Sequence, residues 1–151
     1  MGEDVYTLTA DKFVFTVKKG LFYSDRDVWI QKEGDLFRVG VTDFFQRRGG
    51  DMVFAELPQV GSKVTHLQEI ARLETIKAVL SVDSPSDATI KKVNTMLQDR
   101  PEVINEDPYG EGWLVVMSPN NSRDLERLLN AEQYFGLMKT RLEDDVEKSK
   151  R

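Results

Sequence analysis

The feature that most constrains this chain is its punctuation. Between Phe13 and Met117 the apolar residues fall in short runs, each closed by Gly, Pro, Asn, Asp or Ser. Such runs read as strands joined by turns, not as long helices. Phe13-Val14-Phe15-Thr16-Val17 alternates and predicts an added edge strand, ended by Lys18, Lys19 and Gly20. Val28–Gln31, the turn Glu33-Gly34-Asp35 and Leu36–Val41 predict a strand pair. Thr42 and Asp43 predict the cap of a short helix that ends at Gly49-Gly50. Asp51–Leu57 reads as a strand stopped by Pro58 and Gly61, and Lys63–Ile70 as another. Ala71–Ile76 and Ala78–Val82 face each other around Lys77. Ser84-Pro85-Ser86-Asp87 is a turn, and Ala88–Val93 follows it as a strand. Asn94 predicts the cap of a helix over Thr95–Arg100. Asn105–Gly112 reads as a loop, and Trp113–Met117 as the last strand. Many short strands at this spacing predict a mainly β barrel or sandwich. After Pro119 the period changes to 3.6, with an apolar stripe through Leu125, Leu128, Leu129, Phe135, Met138, Leu142 and Val146. Ser122 is the expected N-cap, Gly136 a break in the stripe, and Glu143–Arg151 a fraying end.

Composition narrows the chemistry. The chain has 151 residues, 40% apolar and 31% charged, which suits one soluble domain. A net charge of -5 argues against general nucleic-acid binding. With no Cys and one His, disulfides, thiolate zinc sites, iron–sulfur ligation, thiol nucleophiles and His-cluster metal sites are excluded. No apolar run approaches the roughly 20 residues needed to cross a bilayer. The opening MGEDVYTLTADKF is acidic and mixed, unlike a secretory signal, so a cytoplasmic location is expected. Patterns for a serine nucleophile elbow, a P-loop, an EF-hand and a dinucleotide fingerprint are absent. Any group-transfer chemistry must therefore come from an attached group.

One stretch offers a handle. In Leu73-Glu74-Thr75-Ile76-Lys77-Ala78-Val79 a lysine sits between two strand-forming runs, with a carboxylate three residues before it. At a hairpin apex its amine would reach solvent on a flexible stem, and acylation would remove its charge and attach a cargo. The heptapeptide alone fits a solvated lysine of no function at least as well. His66 reads as a strand histidine without catalytic partners, and Arg47-Arg48 as a solvated pair. Asp25, Asp27, Asp43 and Glu74 match no cation loop. Trp29, Phe37, Phe44, Phe54 and Trp113 are expected in the core, and Tyr109 across its polar loop.

The wider sequence resembles the H protein of the glycine cleavage system, a lipoyl carrier family. The resemblance rests on Phe22-Tyr23-Ser24 with Trp29, on Val39-Gly40-Val41-Thr42-Asp43-Phe44 with Gln46, and on Gly50–Pro58 followed by Val60-Gly61. Glu74-Thr75-Ile76-Lys77-Ala78 is similar to the lipoyl-lysine hairpin, and Asn105–Leu114 to the family's C-terminal signature. It implies a flattened lipoyl/biotinyl-type β-barrel of two small antiparallel sheets with short helices. The implied parts are an N-terminal extension over 1–20, a lipoyl domain over 21–119 and a C-terminal helical tail over 120–151. It also implies lipoate on Lys77, with Glu74, Thr75, Ile76 and Ala78 as the recognition hairpin. The expected product is a monomeric carrier rather than an enzyme, binding neither nucleic acid nor membrane. A lipoate ligase or lipoyl transferase would act on it.

The pattern also departs from the family. Asp27-Val28-Trp29 stands where His-Glu-Trp is usual, and that His resembles part of a cleft sheltering the loaded arm. Leu67 and Ala71 stand where Gly is frequent before the hairpin, Ala88 replaces a Gly, and Gly49 replaces an apolar residue. The tail is expected to pack on the barrel, with partner docking as the alternative. The altered opening strand and long ends resemble the lipoate-binding proteins of sulfur-oxidising bacteria. The expectation is therefore a carrier of sulfur species for a heterodisulfide-reductase-like complex. The alternatives are the glycine cleavage carrier, working with the glycine cleavage enzymes, and an H-like binding module without lipoate.

Overall fold

A computed structural model describes residues 4–10 and 12–149. The strands are β1 (Val5–Ala10), β2 (Phe13–Lys18), β3 (Phe22–Tyr23), β4 (Val28–Glu33), β5 (Leu36–Val41), β6 (Met52–Glu56), β7 (Lys63–Val64), β8 (Glu69–Thr75), β9 (Val79–Asp83), β10 (Ala88–Val93) and β11 (Val115–Pro119). The helices are α1 (Asp43–Gly49), α2 (Met96–Asp99), α3 (Val103–Glu106) and α4 (Ala131–Ser149). A six-stranded sheet runs β3-β4-β5-β11-β10-β7 and a three-stranded sheet runs β6-β8-β9. The pairings in both are antiparallel. This is the mainly β, two-sheet architecture expected from the turn spacing.

The apolar residues of β4 explain how two cores arise. Val28, Trp29 and Ile30 are all buried, which an alternating strand with one wet face would not allow. Val28 and Ile30 point between the sheets, into a core with Phe37, Val39, Leu73, Ile90 and Leu114. Trp29 points outward, into a second cluster with Phe15, Val17, Tyr23, Phe44, Tyr134 and Met138. That second core is supplied by β2 and α4. An isolated two-stranded hairpin is marginal in water, so β1–β2 depends on this packing.

Several local readings change in the folded chain. The run Phe13–Val17 is not an edge strand of the main sheet; β2 pairs with β1 in a hairpin of its own, from Val5↔Lys18 to Ala10↔Phe13. Lys63–Ile70 is not one strand: β7 ends at Val64, and Leu67 sits at φ 71°, a left-handed conformation that breaks the ladder. Asn94 does not cap the next helix by its side chain; its amide donates to the carbonyls of Glu111 and Trp113, both at 2.8 Å. Part of the expected 105–112 loop is helical, as α3 extends to Glu106. Phe54 is 48% exposed because a bulge between Met52 and Phe54 shifts the register of β6. Trp113 is half-buried, with the Arg38 guanidinium 4.5 Å above its ring.

The 3.6 stripe also begins later than its spacing suggests. Ser122–Arg127 is a 3-10 helix capped by Asn121, whose side chain accepts from the Arg123 amide, and not by Ser122. Leu129 exchanges both backbone hydrogen bonds with Tyr23 at 2.8 Å. α4 starts only after Asn130, where Asn130 and Gln133 cap each other reciprocally. Gly136 lies inside α4 without breaking it. Val146's side chain and residues 150–151 lie outside the described residues.

Candidate functional site

The β8–β9 hairpin is built from paired residues Glu69↔Asp83, Ala71↔Val82, Arg72↔Ser81, Leu73↔Leu80 and Glu74↔Val79. Leu73 is fully buried and anchors the strand end. The turn itself is tied by Thr75. Its backbone N–H donates to the Ala78 carbonyl at 2.8 Å. Its buried hydroxyl accepts from the amides of Ala78 at 3.0 Å and Lys77 at 3.3 Å. A side chain thus does what Gly-rich turns do by backbone alone, and no residue from 75 to 79 adopts positive φ.

Ile76 and Lys77 are pushed outward at the apex. Ile76 is 77% exposed and Lys77 is exposed. Among the described residues the Lys77 amine makes no salt bridge. Its stem lies over Gly50, where an added Cβ would stand 3.2 Å from Cε and 3.9 Å from Nζ. Gly50 has φ 91°, so the close approach and the left-handed turn both require glycine there. Beside it the Asp51 carbonyl accepts the Ile76 N–H at 3.3 Å. The apex therefore rests on the segment between α1 and β6.

All five residues of the expected hairpin come together. Thr75 and Lys77 are placed as described, and Ala78 closes the turn. Glu74 is half-buried on β8, opposite Phe54 and Val79, and its carboxylate makes no salt bridge among the described residues. Val53, Phe54, Ile76 and Val79 are exposed apolar residues on and beside this hairpin.

The remaining suspects lie elsewhere. His66 is exposed in a turn, where its backbone N–H donates to Asp87 at 2.7 Å. Among the described residues no cluster of His, Asp and Glu could hold a metal ion. Asp43 instead organises α1: its carboxylate accepts from Thr16 at 2.9 Å and Gln46 at 2.7 Å. Asp27 sits at φ 65°, and its Oδ1 accepts from the Tyr134 hydroxyl at 2.7 Å and from Arg141 at 2.9 Å. Burial holds the Asp27 carboxyl above its usual range, against the pull of Tyr134 and Arg141. Tyr134 also stacks on Tyr23, with ring centroids 4.7 Å apart. A cleft of about 440 Å³ opens at the other end of the hairpin, near Arg26, Asp83 and Arg127; Lys77 does not line it.

The sequence matches the family described as glycine cleavage H-protein over residues 21–141. It is 41% identical over 120 residues to the glycine cleavage system H protein of Geobacillus thermodenitrificans, covering 80% of this chain and 94% of that protein. It is 42% identical over 118 residues to that of Acinetobacter baumannii, covering 78% and 95%. The crystal structure of a glycine cleavage system H protein from Mycobacterium marinum superposes with a TM-score of 0.72 at 33% identity, over 80% of this chain and 97% of that one.

The chain belongs to the glycine cleavage H-protein family.

Members of this family carry a lipoyl group in covalent linkage to a lysine, and are carriers rather than catalysts. The barrel and the two-sheet core are thus family features. The β1–β2 hairpin precedes the matched region, whereas α4 lies inside it as far as Arg141. The exposed, unpaired amine fits a lipoyl group in amide linkage, since nothing in the hairpin competes for it. Among the described residues no helix is long and apolar enough to cross a membrane.

Proposed function

We propose that this protein is the lipoyl carrier of a glycine cleavage system, with Lys77 as the attachment point. The observation that carries the reading is the Lys77 amine, exposed and unpaired at a rigid hairpin apex in a chain of this family. Attachment requires the unprotonated Nζ to attack an activated lipoyl carbonyl. A C–N amide bond forms, the activating group leaves with its electron pair, and Nζ gives up a proton. The chain's part is to present Nζ: Thr75 sets the turn, and Gly50 leaves room for the stem. When bound, the lipoyl group supplies a disulfide that accepts and hands on a group through its sulfurs. Tethering raises the effective concentration of that group at each partner's active site.

The sulfur-oxidation reading rested on the altered opening strand and the long ends. Neither now favours it. Asp27 is engaged by Tyr134 and Arg141 of α4, so its replacement of the family's His has a role inside the fold. Most of α4 lies within the matched region. The matching relatives bear the glycine cleavage name, and nothing here supports a heterodisulfide-reductase-like partner.

The test begins with intact-mass spectrometry after reaction of the apoprotein with a lipoate ligase, lipoate and ATP. One lipoyl adduct is expected, absent in Lys77→Arg, which should keep the wild-type melting temperature. The lipoylated chain is then offered to glycine-decarboxylating enzymes and, separately, to a thiosulfate-derived sulfur donor. Turnover with glycine supports the proposal; loading by sulfur alone overturns it.

A further inference from the structure

The Lys77 apex leans on residues 49–51, and something must fix that segment. Asn105, at the third position of α3, grips both sides of it. Its Nδ2 donates to the Gly50 carbonyl at 2.9 Å, and its Oδ1 accepts from the Met52 N–H at 2.9 Å. The same Nδ2 donates to Gln46 Oε1 at 3.0 Å. Gln46 in turn donates its Nε2 to Asp43 Oδ1 at 2.7 Å, so its amide orientation is set, and that of Asn105 with it. Between the two clamped residues, the Asp51 carbonyl holds the Ile76 N–H, and Gly50 carries the Lys77 stem.

The geometry points to Asn105 as a positioning residue for the acylation of Lys77. The inference rests on Lys77 being the lipoyl attachment site. Asn105 touches neither the amine nor any incoming group. It acts through the shelf that sets the height and direction of the hairpin apex. A shelf freed on both sides lets the apex tilt, and a displacement near 1 Å at a reacting atom is enough to cost rate. The Asn105→Ala variant leaves the Gly50 carbonyl, the Met52 N–H and Gln46 Oε1 without this partner, while the buried faces of both sheets are unchanged.

The test is steady-state lipoylation of purified apoprotein by a lipoate ligase with lipoate and ATP, the apoprotein concentration being varied. A purely structural defect lowers the folded fraction; it raises the apparent KM and leaves kcat at saturation intact. A positioning defect lowers kcat. For Asn105→Ala the expected result is a kcat down about tenfold with KM within about twofold of wild type. Asn105→Asp keeps the acceptor toward Met52 and loses both donors, and it serves if the alanine variant does not fold; the same kcat loss is expected. Wild-type kcat in a folded variant, or an effect confined to KM, overturns the inference while leaving Lys77 as the attachment site. A wild-type chain that takes no lipoyl adduct overturns both.

Discussion

Replacing Asp27 probes the joint between barrel and α4. Three features meet at this residue: φ 65°, a buried acceptor for Tyr134 and an ion pair with Arg141 at 2.9 Å. Asp27→Ala removes charge-assisted hydrogen bonds, at a cost of about 2 kcal/mol. It also puts a Cβ-bearing residue without a local acceptor into the left-handed region, at a cost of about 1 kcal/mol. Relief of the carboxylate's desolvation offsets about 1 kcal/mol, because burial is the largest influence on this group. The net is about 2 kcal/mol, or about 4–8 °C in melting temperature for a domain of this size. Asp27→Gly escapes the backbone strain but gains freedom when unfolded, so it recovers about 0.5 kcal/mol. Asp27→Asn tolerates φ 65° and keeps an oxygen for Tyr134, so at neutral pH it stays within about 0.5 kcal/mol of wild type. The assay is thermal unfolding followed by circular dichroism, and the expected order of stability is Asn, then Gly, then Ala. An alanine variant as stable as the glycine variant refutes the left-handed assignment; an asparagine variant as weak as alanine refutes the acceptor role.

The same site carries a pH signature. The folded Asp27 carboxyl titrates above its ordinary range, so its contribution to stability is present below that range and is lost as pH rises through the folded value. Asp27→Asn cannot ionise, so it should gain on wild type as pH rises from about 3 toward neutrality. A constant difference between the two refutes the direction of the shift. Thr75→Val keeps the shape of a buried side chain but deletes the acceptor for the Lys77 and Ala78 amides. It should cost about 1–2 kcal/mol and lower the lipoylation rate, and an unchanged rate counts against Thr75 as the organiser of the turn. Leu67→Gly should stabilise the protein, by about 0.5–1 kcal/mol, because Leu67 is 41% exposed at φ 71° and loses little contact on truncation. A fall in melting temperature sinks that reading. Glu74→Ala should shift stability by no more than about 0.5 kcal/mol yet weaken lipoylation by a ligase, measured by intact mass; the reverse pattern makes Glu74 structural.

The sequence alone determined the strands, the turn between β8 and β9, and Lys77 at its tip. Each of these is local: strand period, turn residues and a charged side chain between apolar runs are all written within a few positions. Local patterning could also place the α1 cap, since Thr42 lies three residues before the amide it accepts, that of Phe45. What it could not decide is where each apolar face is covered. Trp29 reads as core in any reading, but only the folded chain shows it outside the barrel beneath β2 and α4. The stripe of leucines after Pro119 reads as one helix, because periodicity carries no information on where tertiary pairing, here Leu129 with Tyr23, will interrupt it. Asp27 and Arg141 are 114 residues apart, and Asn105 and Met52 are 53 apart. Such partners are chosen by close packing of distant segments, so Asn105 could be read as part of a signature while its grip on the Lys77 shelf belonged to the tertiary structure.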